Sequence, residues 1–124
     1  IPFPDEFFDC LISWNVIHYE SSEADILAAI REYARVLRKG GRLFLSTTGP
    51  EHKILLNAEN LGKHLYRIGR EDDHRRGQVY FYFDEPQEIH RLFATAFSQI
   101  LIGRTHDHLF TETLDWYIVT AVRP

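Results

Sequence analysis

Ile30–Ser46 reads IREYARVLRKGGRLFLS, and a change of period inside it decides the fold. Ile26, Leu27, Ile30, Tyr33, Ala34 and Leu37 recur every three or four residues, one stripe of an amphipathic helix predicted from Ser22 to Lys39. Ser21 or Ser22 caps its start, Glu23 and Asp25 fall in the first turn, and Arg38 and Lys39 fall in the last, which suits the helix dipole. Gly40-Gly41 then permits the left-handed turn that leaves a helix, and Arg42–Ser46 reads as a buried strand. Upstream, Phe7–Trp14 (FFDCLISW) follows a turn holding Pro2 and Pro4. Its continuous apolar run suits a strand covered on both faces. The unit is strand, helix, strand.

Working outward, Glu51–Lys63 has helical character through Ile54, Leu55, Ala58 and Leu61. Arg70–Gly77 (REDDHRRG) is the most polar stretch and reads as a solvated loop. Val79–Phe83 is a brief strand. Glu85–Phe97 is a second amphipathic helix carrying Ile89, Leu92, Phe93 and Ala96, with Pro86 in the first turn where proline is tolerated. Ile100–Gly103 and Trp116–Val122 complete the strands. Helices alternating with buried strands define an α/β fold with right-handed crossovers onto a mostly parallel sheet.

A chain of 124 residues forms one domain. The net charge of −4 argues against gripping nucleic acid by bulk electrostatics. No apolar run approaches the ~20 residues that span a bilayer, so no membrane partner is expected. Cys10 is the one cysteine; it forms no internal disulfide, which favours a reducing, cytoplasmic compartment. Its place inside an apolar strand would hide it and raise its pKa, so it is not read as a nucleophile. A Ser-His-Asp hydrolase would need a G-x-S-x-G elbow, which does not occur. A flavodoxin-like or receiver-like domain would need phosphate-loop or acidic-cluster signals. His106-Asp107-His108 puts two imidazoles on one face of a strand. A zinc site needs three or four ligands, however, and the third would have to come from His90 or His74. No metal is expected.

Taken together, PFPDEFFDCLISWNVIHY (Pro2–Tyr19), an acidic helix and IREYARVLRKGGRLFLS resemble the class I S-adenosylmethionine-dependent methyltransferases, in particular the small-molecule branch. In that family a PF-x-D-x-x-FD segment enters the fourth strand, matched here by Pro2, Phe3, Asp5, Phe8 and Asp9. An N-V-hydrophobic-H segment leaves it, matched by Asn15, Val16 and His18. A helix ending RVL-x-x-GG-x-L runs into the fifth strand, matched by Arg35, Val36, Leu37, Gly40, Gly41 and Leu43. Residues from Phe83 onward are compatible with the family's final helix and last two strands. The resemblance implies a Rossmann-like sheet with two parallel βα units and a closing antiparallel strand pair. It also implies a glycine-rich cofactor loop after the first strand, and none of the seven glycines forms one. The chain, which opens directly on the PF segment and contains no methionine, is therefore expected to be the C-terminal half of such a domain.

In an open α/β sheet the ligand crevice lies beyond the carboxyl ends of the strands. Asn15–Tyr19 and Thr47–Gly49 should both face it. The resemblance implies S-adenosylmethionine as cofactor, with Phe3, Asp5, Asn15, Val16 and His18 beside it. His18 is the candidate catalytic residue, since a histidine near neutral pKa can take a proton from an acceptor hydroxyl or amine. Tyr19, Thr47, Thr48, Glu51 and His52 are the candidate substrate residues, with Ser46 beside them. Tyr66, Tyr80, Phe81, Tyr82 and Phe83 are either core or the lining of an aromatic acceptor site. Residues 1–49 then form a cofactor-side core, 50–79 a variable lid or acceptor segment, and 80–124 the final helix and strands. The acceptor is expected to be a small molecule. A half-domain would leave the strand edge at 8–14 unpaired, so a homodimer through that edge is expected. The rival reading is a catalytically inactive half-domain acting as an assembly module.

Overall fold

The structure is a computed structural model that describes residues 1–124. β1 (Phe8–Trp14) leads through a short 3₁₀ turn (Ile17–Tyr19) to α1 (Glu23–Val36) and β2 (Leu37–Thr48). A second 3₁₀ turn (Lys53–Leu55) precedes β3 (Glu59–Gly62), β4 (Leu65–Arg67) and β5 (Val79–Phe81). α2 (Pro86–Phe93) and a long hairpin of β6 (Ser98–Leu109) and β7 (Glu112–Val122) complete the chain. The main sheet has the order β1-β2-β7-β6. β1 and β2 run parallel, with Leu11 opposite Leu43 and Trp14 opposite Ser46. β7 lies antiparallel between β2 and β6. β3, β4 and β5 form a separate small antiparallel sheet.

α1 forms where its apolar stripe demands it. Ser22 is the N-cap, its hydroxyl accepting from the Asp25 N–H at 3.1 Å, a bond that stabilises a helix start by about 1 kcal/mol. Ile26, Ile30, Tyr33 and Val36 are buried, the first three against Leu43, Leu45, Val119 and Ala121 of the sheet and Ile89, Leu92 and Phe93 of α2. Full burial of each aliphatic side chain contributes roughly 1.5–3 kcal/mol. Because strand side chains alternate, the opposite face of the sheet carries Ile12, Trp14 and Leu101, which are 69%, 49% and 70% exposed.

Several expectations are corrected. α1 ends at Val36, three residues before Lys39, because Leu37 turns extended and starts β2. Backbone bonds from Gly40 to Arg123 and from Arg123 to Gly41 hold that extension, and Gly40 supplies the left-handed residue at φ +78°. Glu51–Lys63 is not a helix. It contains one 3₁₀ turn, a left-handed Asn57 and β3, since Ile54 and Leu55 find a core while Leu56 and Leu61 stay exposed. A short helix without tertiary burial is unstable in water. β1 is covered on one face only, so Cys10 is exposed, not hidden. Tyr80, Phe81, Tyr82 and Phe83 are buried in the two apolar clusters, which assigns them to the core rather than to an acceptor wall. α2 stops at Phe93, four residues short of the expected end. The expected short strands 100–103 and 116–122 lengthen into a twelve- and an eleven-residue arm.

Candidate functional site

The parallel pairing of β1 with β2 brings their carboxyl ends together. Asn15 leaves β1 in the left-handed region at φ +56°, a conformation asparagine tolerates better than most residues. Its N–H donates to the Ser46 hydroxyl at 2.9 Å, and that hydroxyl donates in return to Asn15 Oδ1 at 2.6 Å. Ser46 is fully buried. This reciprocal pair ties the loop after β1 to the end of β2, and it fixes where Val16 and His18 emerge. Val16 is 54% exposed, whereas His18 is 1% exposed in the 3₁₀ turn that follows.

At the end of β2, Thr47 and Thr48 are buried, and neither hydroxyl has a hydrogen-bond partner. Gly49 then donates its N–H to the Asp115 carbonyl at 2.7 Å. A Cβ at Gly49 would lie 2.8 Å from the Asp115 carboxyl carbon, so this crossing excludes larger residues. His52 is buried too, and its Nδ1 accepts from the Ile54 N–H at 3.1 Å while its Nε2 has no partner. The His18 Nδ1 is likewise buried and unpartnered. Both imidazoles lie against Trp116, with ring centroids 6.4 Å away for His18 and 4.2 Å for His52. Tyr19 covers His18 at 4.4 Å.

Burial opposes the charged form of each ring. It pulls the His18 pKa down to about 4, helped by the neighbouring His52 and Arg75. Burial likewise lowers His52 to about 4, with Lys53 and Arg75 acting in the same direction against Asp115. Both rings are neutral at pH 7.

The polar loop contributes as well. Arg75 donates to the Tyr19 hydroxyl at 2.6 Å while Asp73 grips the same guanidinium at 2.9 and 3.0 Å. Asp73 is nearly buried, and Arg75 holds its carboxyl well below the usual range. Arg70 bonds Asp72 and Glu112, so this loop is pinned to the β6–β7 arm. A cavity of about 590 Å³ opens beside Tyr19, His74, Arg75, Gln78 and Val79.

The remaining candidates fall elsewhere. Phe3 and Asp5 lie before β1, at the end of the strand away from His18, about 20 Å along seven residues. There Arg35 binds the Asp5 carboxylate at 2.7 Å and the Phe3 carbonyl at 2.9 Å, and Phe3 packs edge-on against Phe8. The structure does not bring this pair together with Asn15 and His18. Glu51 sits at the rim, its N–H donating to Asp115 at 2.6 Å and its carboxylate meeting Arg104 and His106. Glu51, His106 and Asp115 converge, a different grouping from His106, His108 and a borrowed histidine. The Arg104 guanidinium already occupies both carboxylates there, binding Asp115 at 2.8 and 2.9 Å. Trp116, Arg75 and Asp115 are site residues that sequence reasoning missed. Trp116 looked like a strand residue, and Arg75 sat in a charge run whose partners lie far along the chain.

A parallel strand pair, a crossover helix and an antiparallel strand inserted beside β2 define a Rossmann-like α/β class with a closing antiparallel pair. Residues 1–45 match the family described as "Methyltransferase domain". The chain is 45% identical over 53 residues to probable tRNA methyltransferase 9B of Homo sapiens, covering 43% of this chain and 12% of that protein. It is 36% identical over 77 residues to an uncharacterized methyltransferase of Bacillus subtilis (strain 168), covering 61% of this chain and 28% of that protein. Among solved structures it is similar to an S-adenosylmethionine-dependent methyltransferase from Methanosarcina mazei (TM-score 0.74, 15% identity, 99% of this chain and 62% of that one). It is also similar to the Burkholderia thailandensis 1,6-didemethyltoxoflavin-N1-methyltransferase solved with S-adenosylhomocysteine (TM-score 0.65, 18% identity, 98% of this chain and 46% of that one). The chain therefore spans 12% and 28% of these curated relatives and roughly half to two-thirds of these structures. Its fold is that of class I S-adenosylmethionine-dependent methyltransferases, and the resemblance read from its first 46 residues holds.

Proposed function

We propose that the chain serves in S-adenosylmethionine-dependent methyl transfer to a small-molecule acceptor. Asn15, Val16 and His18 face the cofactor, and Tyr19, Thr47, Thr48, Glu51 and His52 face the acceptor. The observation that carries this reading is the Asn15–Ser46 pair, which fuses the two loops at the carboxyl edge of a methyltransferase-like sheet. Buried unpartnered polar atoms beside an exposed Val16 suit a group with both polar and apolar parts, as the methionine end of the cofactor has. That group supplies a methyl carried on a sulfonium. The chain's residues hold the acceptor in line with it, and neutral His18 takes the acceptor's proton. Phe3 and Asp5 are not carried into this proposal, because Arg35 engages them at the far end of β1. The segment 50–79 shapes the acceptor side, with Arg75 and Tyr19 at its mouth.

A small acceptor is favoured over nucleic acid by the net charge of −4, which repels phosphate. A reducing compartment such as the cytoplasm suits the free, exposed Cys10. β1 leaves one edge unpaired beside the exposed Ile12 and Trp14, and such an edge pairs readily with another copy; a homodimer through residues 8–14 follows. Beyond that edge, no observation favours a purely structural role. Calorimetric titration with S-adenosylmethionine and S-adenosylhomocysteine tests the main reading. Micromolar binding supports it, and the absence of heat at millimolar ligand rejects it for this chain. Salt-dependent RNA binding in parallel would reassign the acceptor. Light scattering tests the dimer, and a clean monomer at micromolar concentration sinks it.

A further inference from the structure

We infer that the outer edge of β6 is a pairing surface for a second copy of this chain. Two β6 strands run antiparallel about a two-fold axis at Thr105, joining their four-stranded sheets into one continuous sheet. β6 is the edge opposite β1, so this interface is separate from the pairing proposed for residues 8–14. It has twelve residues against seven in β1. Beyond the ladder with β7, no backbone N–H or carbonyl of residues 99–110 finds a partner in the chain. An edge so long and open is a template for another strand.

The devices that blunt such edges are mostly missing. Ser98–Leu109 holds no proline and no lysine. Its ladder with β7 is regular from Leu101 to Leu109, and the one irregularity lies before Leu101. Arg104 is turned back onto Asp115 and Glu51 of its own chain, which leaves Asp107 as the one unpaired acid of the strand.

The choice of a second copy as occupant follows from the register. A two-fold axis perpendicular to the sheet keeps every side chain on its own face, and faces alternate along a strand. The axis therefore passes through a residue. At Arg104 or Asp107 it would set two like charges face to face, which is destabilising. At Gly103 it would run Leu109 past the end of the partner's strand, and at His106 it would set Leu101 against the turn. At Thr105 it sets Leu101 opposite the partner's Leu109, and the reverse, with the two threonines opposite each other. Phe110 then lies beside the partner's bulge at Gln99 and Ile100. Leu101, Leu109 and Phe110, which are 70%, 52% and 97% exposed, all gain cover. Asp107 faces the partner's Gly103, where it meets no side chain. Arg104 faces the partner's His106, beside which Glu51 and Asp115 supply negative charge.

The test reads disulfide formation in the whole chain carrying Cys10→Ser. Thr105→Cys sets two thiols across the axis, where directly opposed residues lie about 4.5–5.5 Å apart at Cα, within the reach of a disulfide. His106→Cys offsets the pair along the strands to roughly 8 Å, which is out of reach. Under mild oxidation at micromolar concentration, Thr105→Cys should cross-link about ten-fold or more faster than His106→Cys, and light scattering should show a dimer or larger. Adding Leu101→Lys/Leu109→Lys opposes lysines at both ends and should slow the cross-link roughly ten-fold. Leu101→Lys/Leu109→Glu opposes unlike charges instead and should restore it. Both leucines are exposed, so neither pair of changes disturbs the core. Equal cross-linking at Thr105 and His106 overturns the inference, as does a monomer by light scattering. A dimer that survives Leu101→Lys/Leu109→Lys and does not cross-link at Thr105 belongs to the β1 edge; it overturns this interface and leaves that one standing.

Discussion

Lowering the pH from 7.5 to 5 should destabilise the folded chain steeply, and the two buried histidines set the size of the effect. Each has a folded pKa of about 4 against an unfolded value of about 6.5. Above pH 6.5 both rings are neutral in either state, so they contribute no pH dependence there. Between pH 6.5 and 4 the unfolded chain binds the protons that the fold refuses, and stability falls as pH falls. Integrating this linkage gives about 2 kcal/mol per histidine at pH 5, or about 4 kcal/mol for the pair. That is a large share of a domain stability of about 5–15 kcal/mol. Urea unfolding followed by circular dichroism from pH 7.5 to 5 reads it directly. With a slope of about 1–3 kcal/mol per molar, the midpoint should fall by roughly 1.3–4 M. The carboxylates held below their ordinary values, including Asp73 and Asp115, lose their contribution only below about pH 4, so they do not obscure this window. The double variant His18→Gln/His52→Asn, which keeps an acceptor for the Ile54 N–H, should be nearly flat across it. A wild-type change under about 1 kcal/mol, or an equal slope in the double variant, would refute the reasoning.

Ser46→Ala removes a fully buried hydroxyl that bonds Asn15 twice; it should cost about 1–3 kcal/mol by urea unfolding, and Ser46→Thr should recover part of it if the added methyl is accommodated. Arg75→Ala should cost under about 1 kcal/mol, because the pair is partly solvated. It should nevertheless speed protease cleavage within residues 70–77, and unchanged cleavage would show that the contact to Tyr19 does not hold that loop. Asp115→Asn should destabilise the chain by about 1–3 kcal/mol at pH 7, because it weakens the bonds from Arg104 and the Glu51 N–H. That deficit should shrink as pH falls below about 4, where the unfolded carboxyl takes up a proton while the folded one, held below its ordinary value, still resists it.

The sequence by itself determined the strand–helix–strand unit. Ile26, Ile30 and Tyr33 repeat at the helical period, Ser22 caps, and Gly40 turns, all through interactions a few residues apart. It also brought Asn15–Tyr19 and Thr47–Gly49 to one edge, because parallel strands put their carboxyl ends on the same side. It misread segments whose state depends on distant partners. Glu51–Lys63 has a helical pattern but buries only its first turn, around Ile54, and Arg38 and Lys39 were drawn into β2 by pairing with residues near Arg123. Tertiary structure alone decided the chemistry of the site. Only packing against Trp116, sixty-four residues beyond His52, buries two imidazoles in neutral form. Only the return of Arg75 to Tyr19 turns a run of charges into the wall of a cavity. Long-range burial and desolvation leave no local period in a sequence, and in this protein they decide which imidazoles are held neutral.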